Sequence, residues 1–368
     1  MKKKVAIIGA GFTGLSAART FAEAGYDVQV FEKEETIGGV CSDYEKDGCI
    51  IQKYGPHIFH TNDETAYKFV CRFGEMKKFE HRAKARTKMG FIDYPINYNS
   101  LEILYATDVE RAIHMMNDDI EIAKTIFEGE RDRNFRVAAI CNLGQRIYDE
   151  VIHHYTKLQW QRDPHQVPFE VFSRMRISYD RTGLFFPDRW VCLPVKGYSV
   201  LFAAMANHPN IHIQPRHVVA CDLDWLTDEY DYTINTGPCG ILLGEENNET
   251  LKLEFGYIDE PAFSLMPQHG VINYCDSGPF TRATNYGMFN GIPGCLDFII
   301  SERPSKNGLE LYPVRTKNNI KIHEDQKERL MRKGVHTVGR LGDYKYINMD
   351  QAVLNGIGIA KSIIEWEE

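Results

Sequence analysis

The alternation of apolar and polar positions predicts a strand, a helix and a second strand at the start of the chain. Val5–Ile8 is a short apolar run typical of a buried parallel strand, and a glycine-rich turn follows it. Leu15–Ala24 then has helical periodicity, and Asp27–Phe31 is the second predicted strand. This order of elements predicts an α/β fold that begins with a βαβ unit.

The turn of this unit has the spacing of a dinucleotide-binding fingerprint. Gly9 permits the tight turn, Gly11 lets the backbone approach a pyrophosphate, and Gly14 lets the helix pack closely on the strand. Glu32 follows the second strand, where a carboxylate accepts hydrogen bonds from ribose hydroxyls and repels a phosphorylated ribose. The further pair Gly38-Gly39 resembles the extended fingerprint of flavoproteins, which favours FAD over NAD.

Later segments are predicted to rejoin this Rossmann-like domain or to form separate lobes. Helical periodicity dominates from Leu101 to about Lys157, whereas residues 251–303 alternate short apolar runs with turns, as in an antiparallel sheet. The prediction is therefore a discontinuous FAD-binding domain with an inserted helical lobe and an antiparallel β-sheet lobe. Its predicted bounds are 1–75, 190–240 and 316–368 for the FAD-binding domain, 76–165 for the helical lobe with a mobile loop at 162–186, and 241–315 for the sheet lobe.

Composition excludes several other classes of protein. The 368 residues carry a net charge of −8 without long Lys/Arg runs, which argues against a nucleic-acid partner. The nine cysteines are scattered and never spaced as Cys-x-x-Cys, so we expect reduced thiols in a cytoplasmic protein and no metal site. No segment is long and apolar enough to predict membrane insertion.

Two further stretches are candidates for ligand binding. Ile50–Asp63 is dense in histidine, glycine and aromatic residues, which suggests a ligand wall, although on sequence alone His57 and His60 are more typical of structural imidazoles. Arg162–Arg189 contains five arginines among proline, glycine and aromatic residues. They suit an anion site, because the guanidinium fork pairs with phosphate, or surface ion pairs with neighbouring acids.

Taken together, these blocks resemble the bacterial UDP-galactopyranose mutase family, nearly from end to end. Two motifs carry most of the resemblance: Lys-Tyr-Gly-Pro-His-Ile-Phe-His-Thr-Asn-Asp at 53–63 and Gly-Arg-Leu-Gly-Asp-Tyr-Lys-Tyr at 339–346. The resemblance implies an isomerase that interconverts the pyranose and furanose forms of UDP-galactose through an adduct between the sugar and N5 of reduced flavin, without net redox. It also implies a homodimer that uses NAD(P)H or another reductant.

The resemblance assigns roles to particular residues. It implies that Arg176, Arg282 and His60 are catalytic, the two arginines stabilising the leaving diphosphate. It implies substrate binding by Asn97, Tyr155, Trp160, Asn273, Tyr312, Arg340 and Tyr346. It implies cofactor binding by Gly9, Gly11, Phe12, Thr13, Gly14, Glu32, Lys33, Gly38, Gly39, His57, Ile58, Arg340 and Met349. Tyr155 and Trp160 are also consistent with ordinary core positions of the helical lobe.

Some positions depart from the family pattern and keep alternatives open. The mobile-loop arginine is Arg176 only if two residues are missing before it; otherwise Arg174 meets a different loop position. Other departures lie at Val40, Phe185, Val338, Asn348 and Asp350. Three alternatives therefore remain: a mutase for another nucleotide sugar, an FAD-dependent oxidoreductase of the amine-oxidase type, and a noncatalytic binder.

Overall fold

In a computed structural model, the chain is described at residues 2–130, 134–245, 248–266, 268–292 and 295–367. It forms two compact units. Unit 1 comprises Met1–Phe79, Asp188–Thr250 and Leu311–Glu368, and unit 2 comprises Glu80–Pro187 and Leu251–Glu310. No helix within the described ranges is long and apolar enough to cross a membrane.

The strands and helices are numbered in chain order. The strands are β1 Lys4–Ile8, β2 Asp27–Glu32, β3 Asp43–Lys46, β4 Cys49–Gln52, β5 Phe59–Thr61, β6 Met76–Lys78, β7 Ala83–Thr87, β8 Gly90–Tyr94, β9 Trp190–Pro194, β10 Ile211–Pro215, β11 Tyr232–Asn235, β12 Thr250–Tyr257, β13 Val271–Tyr274, β14 Arg282–Asn285, β15 Ile299–Pro304, β16 Leu309–Pro313 and β17 Val335–Thr337. The helices are α1 Phe12–Glu23, α2 Glu64–Cys71, α3 Tyr98–Tyr105, α4 Val109–Ile126, α5 Phe135–Leu143, α6 Gln145–Ile147, α7 His153–Trp160, α8 Gly197–Ala206, α9 Leu223–Glu229, α10 Cys239–Leu243, α11 Ala262–Leu265, α12 Tyr286–Phe289, α13 Lys317–Arg332 and α14 Met349–Glu367.

Unit 1 is built on a five-stranded parallel sheet in the order β10-β2-β1-β11-β17. The predicted βαβ unit is present as β1, α1 and β2, and β11, β17 and α14 lie in the later segments predicted to rejoin this domain. The central strand β1 buries Val5, Ala6 and Ile7 completely. A strand with both faces covered needs such a continuous apolar run, which explains why it was recognisable from sequence. The Rossmann-like α/β fold is therefore confirmed.

Unit 2 combines a mostly antiparallel sheet with a helical core. The sheet order is β16-β12-β15-β14-β13-β7-β8. Of the edge strand β16, only Leu309 and Glu310 belong to unit 2. The helices α3 to α7 bury an apolar cluster that includes Leu101, Met116, Phe135 and Ile140. Side chains of the sheet, among them Ala85, belong to the same cluster, so sheet and helices share one core.

This arrangement differs from the predicted lobes at 76–165 and 241–315. Strand β7, from the predicted helical lobe, pairs in parallel with β13, from the predicted sheet lobe, with Ala83 opposite Val271. Both segments therefore belong to unit 2. Within the predicted helical lobe, Gly90–Tyr94 forms the edge strand β8, which pairs antiparallel with β7. The pairing of β7 with β13 joins residues far apart in sequence, so no local periodicity predicts it.

Helix α14 packs directly on helix α1, and a glycine allows the contact. A Cβ added to Gly356 would lie 2.2 Å from the carbonyl oxygen of Thr13 and 2.9 Å from the amide nitrogen of Ala17. These atoms belong to the backbone of α1 and cannot move without shifting the helix. Gly358, on the same helix, has nothing within 4 Å of its added Cβ.

We predict opposite effects for two alanine substitutions on α14. Gly356→Ala should lower the free energy of unfolding by about 1–3 kcal/mol, because the added methyl group forces the two helices apart. Gly358→Ala should leave it unchanged or raise it by up to about 1 kcal/mol, because alanine is the better helix former and meets no neighbour. Urea denaturation of both variants beside the parent measures the difference. Equal effects at the two positions would contradict the packing described.

Candidate functional site

The glycine-rich turn between β1 and α1 is shaped by close backbone contacts. Gly9 has a φ of +99°, and a Cβ there would lie 2.3 Å from Oγ1 of Thr236. A Cβ on Gly14 would lie 1.9 Å from the carbonyl oxygen of Gly9. At Gly11, by contrast, the nearest atom to an added Cβ is the carbonyl oxygen of Gly38, at 4.0 Å. Two glycines are thus demanded by packing, and the third leaves its backbone open to approach.

The N-terminus of α1 is suited to a phosphate group. The first N–H groups of the helix and the positive end of its dipole point toward the turn. Gly11 provides no side-chain cap for them, and the first turn of the helix contains no acidic residue. Phe12 and Thr13, which begin the helix, are buried. Gly38 and Gly39 both have positive φ, and a Cβ on Gly39 would lie 3.5 Å from Cα of Gly11. The Gly38-Gly39 pair therefore lies against the glycine-rich turn.

Glu32 is buried at the end of β2 and is held by two backbone donors. Its Oε2 accepts from the N–H of Ala10 at 2.7 Å, and its Oε1 accepts from the N–H of Glu34 at 3.0 Å. A carboxylate fixed beside the glycine turn is suited to bind ribose hydroxyls. Lys33, the next residue, is about half exposed and forms an ion pair with Glu34 at 3.6 Å. Turn, helix end and carboxylate together fit the pyrophosphate and ribose of an adenine dinucleotide.

The histidine-rich segment is anchored to unit 1 by a buried glutamine. Gln52 accepts a hydrogen bond from the N–H of His57 and donates one to its carbonyl oxygen at 3.0 Å. The His57 ring is 2.9 Å from the carbonyl oxygen of Gly55 through Nδ1. Ile58 is buried. His60 lies on β5, and its Nδ1 is 2.9 Å from Oδ2 of Asp188.

A cationic and phenolic cluster joins Tyr312 of β16 to the segment after β17. The Tyr312 and Tyr346 rings are parallel within 10°, with centroids 5.8 Å apart, and the guanidinium carbon of Arg340 is 4.7 Å from each centroid. The Arg340 Nε is buried and has no hydrogen-bond partner among the described residues. Met349 is the first residue of α14. A cation beside two phenols, with an unused buried donor, is suited to bind an anion.

Unit 2 contains a second polar site, centred on Arg282. The three cross-strand neighbours Asn273, Arg282 and Glu302 share one face of the sheet. Nε of Arg282 donates to Oδ1 of Asn273 at 3.2 Å, and one terminal nitrogen donates to the Tyr155 hydroxyl at 3.3 Å. The other terminal nitrogen is 3.6 Å from Oε1 of Glu302. Neighbours on three sides thus fix the guanidinium group.

Burial determines the electrostatics of this cluster. It raises the pKa of Glu302 above its usual value, an effect that the Arg282 charge opposes. Burial also raises the pKa of Tyr155, and Arg282 again acts in the opposite direction. Tyr155 therefore stays a neutral phenol, and Arg282 is the cation of the group. Trp160, at the end of α7, packs with Tyr155 against the helical core.

Asn97, expected to bind substrate, is hydrogen-bonded at both ends of its amide within unit 2. It is fully buried and caps α3, its Oδ1 accepting from the N–H of Ser100 at 3.1 Å. Its Nδ2 donates to Oδ2 of Asp93 at 3.0 Å. These bonds show that Asn97 supports the start of α3, and substrate contact remains a prediction. The asparagine of a helix cap and that of a binding site look alike in sequence.

The arginine-rich loop is only partly described. A terminal nitrogen of Arg176 donates to the carbonyl oxygen of Phe185. Phe185 packs its ring 4.9 Å from that of His81, and its N–H donates to the His81 carbonyl oxygen at 2.8 Å. The phenylalanine thus occupies an aromatic cluster. The side chain of Arg174, the alternative loop arginine, lies outside the described part of the structure.

Sequence reasoning missed two acids that hold site residues. Glu302 contacts the predicted Arg282, and Asp188 contacts the predicted His60. A signal for Glu302 exists in the sequence, because a charge within the apolar strand Ile299–Pro304 is unusual for a buried position. Asp188 lies between an irregular segment and a strand, where an acid is ordinary.

Comparison with known proteins agrees with this geometry. A family model described as UDP-galactopyranose mutase matches residues 150–346, more than half of the chain, and one described as NAD(P)-binding Rossmann-like domain matches residues 7–73. The protein named "Probable UDP-galactopyranose mutase" from Klebsiella pneumoniae is 26% identical over 377 residues, covering 98% of this chain and 95% of that protein. The dTDP-fucopyranose mutase of Escherichia coli is 27% identical over 382 residues, covering 98% of each.

The fold has a similar solved structure. The crystal structure of reduced UDP-galactopyranose mutase superimposes with a TM-score of 0.79 and covers 99% of this chain and 96% of that one, at 16% identity. The match of the family model includes Tyr155, Trp160, Arg282 and Arg340. The chain therefore belongs to the UDP-galactopyranose mutase family of flavoprotein isomerases.

Proposed function

We propose that this protein interconverts the pyranose and furanose forms of UDP-galactose while it holds reduced FAD, without net oxidation of the sugar. The observation that carries the proposal is the fixed arginine of unit 2. Arg282 has Asn273, Tyr155 and Glu302 as neighbours, which makes it a preorganised cation in a partly buried site. Such a group suits a reaction in which a diphosphate leaves the anomeric carbon.

FAD fits the residues of unit 1. Gly11 would let the pyrophosphate approach the backbone, the N-terminus of α1 would balance its charge, and Glu32 would bind the adenosine ribose. When bound and reduced, the flavin would supply through N5 the nucleophile for the anomeric carbon. We propose NAD(P)H or another small reductant as the source of the electrons.

The protein side chains would orient the substrate and stabilise charge. Arg282 would stabilise the negative charge that develops on the diphosphate as its bond to the sugar breaks. Arg340, beside the phenols of Tyr312 and Tyr346, would offer further donors to phosphate oxygens. Tyr155 and Trp160 would present aromatic surface to the base.

Two further assignments belong to the same proposal. Arg176, from the arginine-rich loop, would add a second cation to the diphosphate after exchanging its bond to the Phe185 carbonyl oxygen. His60 would accept and return a proton of the sugar. The role of Arg176 follows from the family resemblance, which also counts His60 among the catalytic residues; proton exchange by His60 is our own proposal. Neither assignment requires a nucleophilic side chain.

A second candidate substrate is another nucleotide sugar, such as dTDP-fucopyranose. The E. coli dTDP-fucopyranose mutase is as similar to this chain as the K. pneumoniae relative is. The sequence also departs from the family pattern at Phe185, which packs on His81 and stands where a phosphate-binding tyrosine is usual in the family. The reaction type is the same for both candidates, so only the sugar and the base distinguish them.

We predict that the dithionite-reduced holoprotein converts UDP-galactofuranose into UDP-galactopyranose and that the oxidised protein does not. The reason is that only reduced flavin is electron-rich enough to act as the nucleophile. Chromatography of the nucleotide sugars measures the conversion, with dTDP-fucopyranose tested in parallel. Faster conversion of the dTDP sugar would favour the second candidate. Bleaching of oxidised flavin by either sugar would overturn the proposal in favour of an oxidoreductase.

Removing the Arg282 guanidinium should lower turnover by about 100-fold or more. Because Arg282→Ala alone would leave Glu302 buried beside an empty site, the variant should be made together with Glu302→Gln and compared with Glu302→Gln alone. The flavin absorbance should stay unchanged.

Arg303→Ala is the matched control. Arg303 neighbours Glu302 on β15, and it pairs with Glu254 at 3.0 Å while about half exposed. Turnover of this variant should remain within about twofold of the parent, since exposed ion pairs contribute little. Near-parental turnover without Arg282 would refute its assignment to the diphosphate.

A further inference from the structure

His60 is bonded to an acid that the strand pairing holds in place. Strands β5 and β9 pair antiparallel, with His60 opposite Val191, and Asp188 lies two residues before β9 begins. Nδ1 of His60 is 2.9 Å from Oδ2 of Asp188, and each side chain is 17% exposed. The pair is thus largely shielded from water, which favours a defined geometry over an interchangeable surface contact.

A neighbouring amide fixes the direction of the hydrogen bonds. The N–H of Arg189 can only donate, and it bonds Oδ1 of Asn62 at 2.8 Å. The Nδ2 group of Asn62 must therefore face Asp188, and it donates to Oδ1 of that carboxylate at 2.9 Å. With both oxygens of Asp188 accepting, the proton of the neutral His60 ring resides on Nδ1.

We infer that Asp188 is a positioning residue that sets the His60 tautomer, so that His60 exchanges its proton at Nε2. The inference rests on the proposed function. In the ring interconversion, the hydroxyl that closes the new ring loses one proton and the former ring oxygen gains one. If Nε2 of the His60 imidazole accepts this proton and then returns it to the sugar, the protein ends unchanged, and no oxidant or reductant is consumed.

The same hydrogen bonds make Asp188→Asn informative. The oxygen of the new amide would accept from Nδ2 of Asn62, whose orientation Arg189 fixes. The NH2 group of the new amide would then face Nδ1 of His60 and donate to it. The proton of His60 should therefore move to Nε2, and turnover should fall by about 100-fold or more.

A second substitution should reverse the effect. When Asn62→Asp is added to Asp188→Asn, the new carboxylate accepts both from the Arg189 N–H and from the amide at 188. The oxygen of that amide then faces His60 and accepts from Nδ1. The double variant should restore the original tautomer, and its turnover should be at least tenfold higher than that of Asp188→Asn. If Asp188 had only a structural role, exchanging the carboxylate and the amide between positions 188 and 62 would not restore turnover.

The tautomer is measured by long-range ¹H–¹⁵N NMR of the histidine-labelled oxidised holoprotein, with His60→Gln identifying the signal. Asp118→Asn is the control, because Asp118 pairs with His114 at 3.2 Å on the exposed face of α4. It should change neither the His60 signal nor turnover. A parent protein with the His60 proton on Nε2, or an Asp188→Asn variant with an unchanged tautomer, would overturn the inference.

The two proposals fail in different ways. If the tautomer moves in Asp188→Asn but turnover does not, the reaction does not use His60, and the inference is refuted while the mutase function stands. If the parent protein converts no nucleotide sugar, the proposed function and the catalytic use of His60 both fail. The NMR signal then still decides whether Asp188 sets the tautomer.

Discussion

Close approach of backbone to backbone is the constraint on which the nucleotide-binding unit depends. Helix α1 reaches β1 because Gly14 has no side chain to meet the Gly9 carbonyl, and α14 reaches α1 because Gly356 has none to meet Thr13. Gly339 lies against the same threonine, where a Cβ would be 3.0 Å from its Oγ1. These contacts set the N-terminus of α1 and the segment that carries Arg340.

The candidate functional groups of each unit are held in place by neighbouring polar groups. In unit 1, backbone N–H groups orient Glu32, and Asp188 orients His60. In unit 2, Glu302 lies beside Arg282 on the adjacent strand. A buried acid is costly to desolvate, and a cation beside it offsets part of that cost. Such support keeps a charged group in one geometry, which electrostatic catalysis requires.

The sequence was sufficient to predict the structure wherever short-range patterns determine it. The apolar run of β1, the glycines of the turn and the acid at the end of β2 each follow from short-range patterns, and each lies where the pattern predicted. The sequence was insufficient where distant segments pair. The parallel pairing of β7 with β13 merges the two predicted substrate lobes, and nothing within either strand indicates it. The helix cap formed by Asn97 was not predicted, because a helix cap uses the same side chain as a binding site.

The central claim is that the bond between the sugar and the diphosphate breaks during turnover, with Arg282 beside the departing charge. Positional isotope exchange tests it most directly. UDP-galactopyranose carrying ¹⁸O between the anomeric carbon and phosphorus is incubated with the reduced protein and followed by ³¹P NMR. If this bond breaks, the label will spread into the non-bridging positions of the β-phosphate. Ring interconversion with the label retained in the bridge would contradict it.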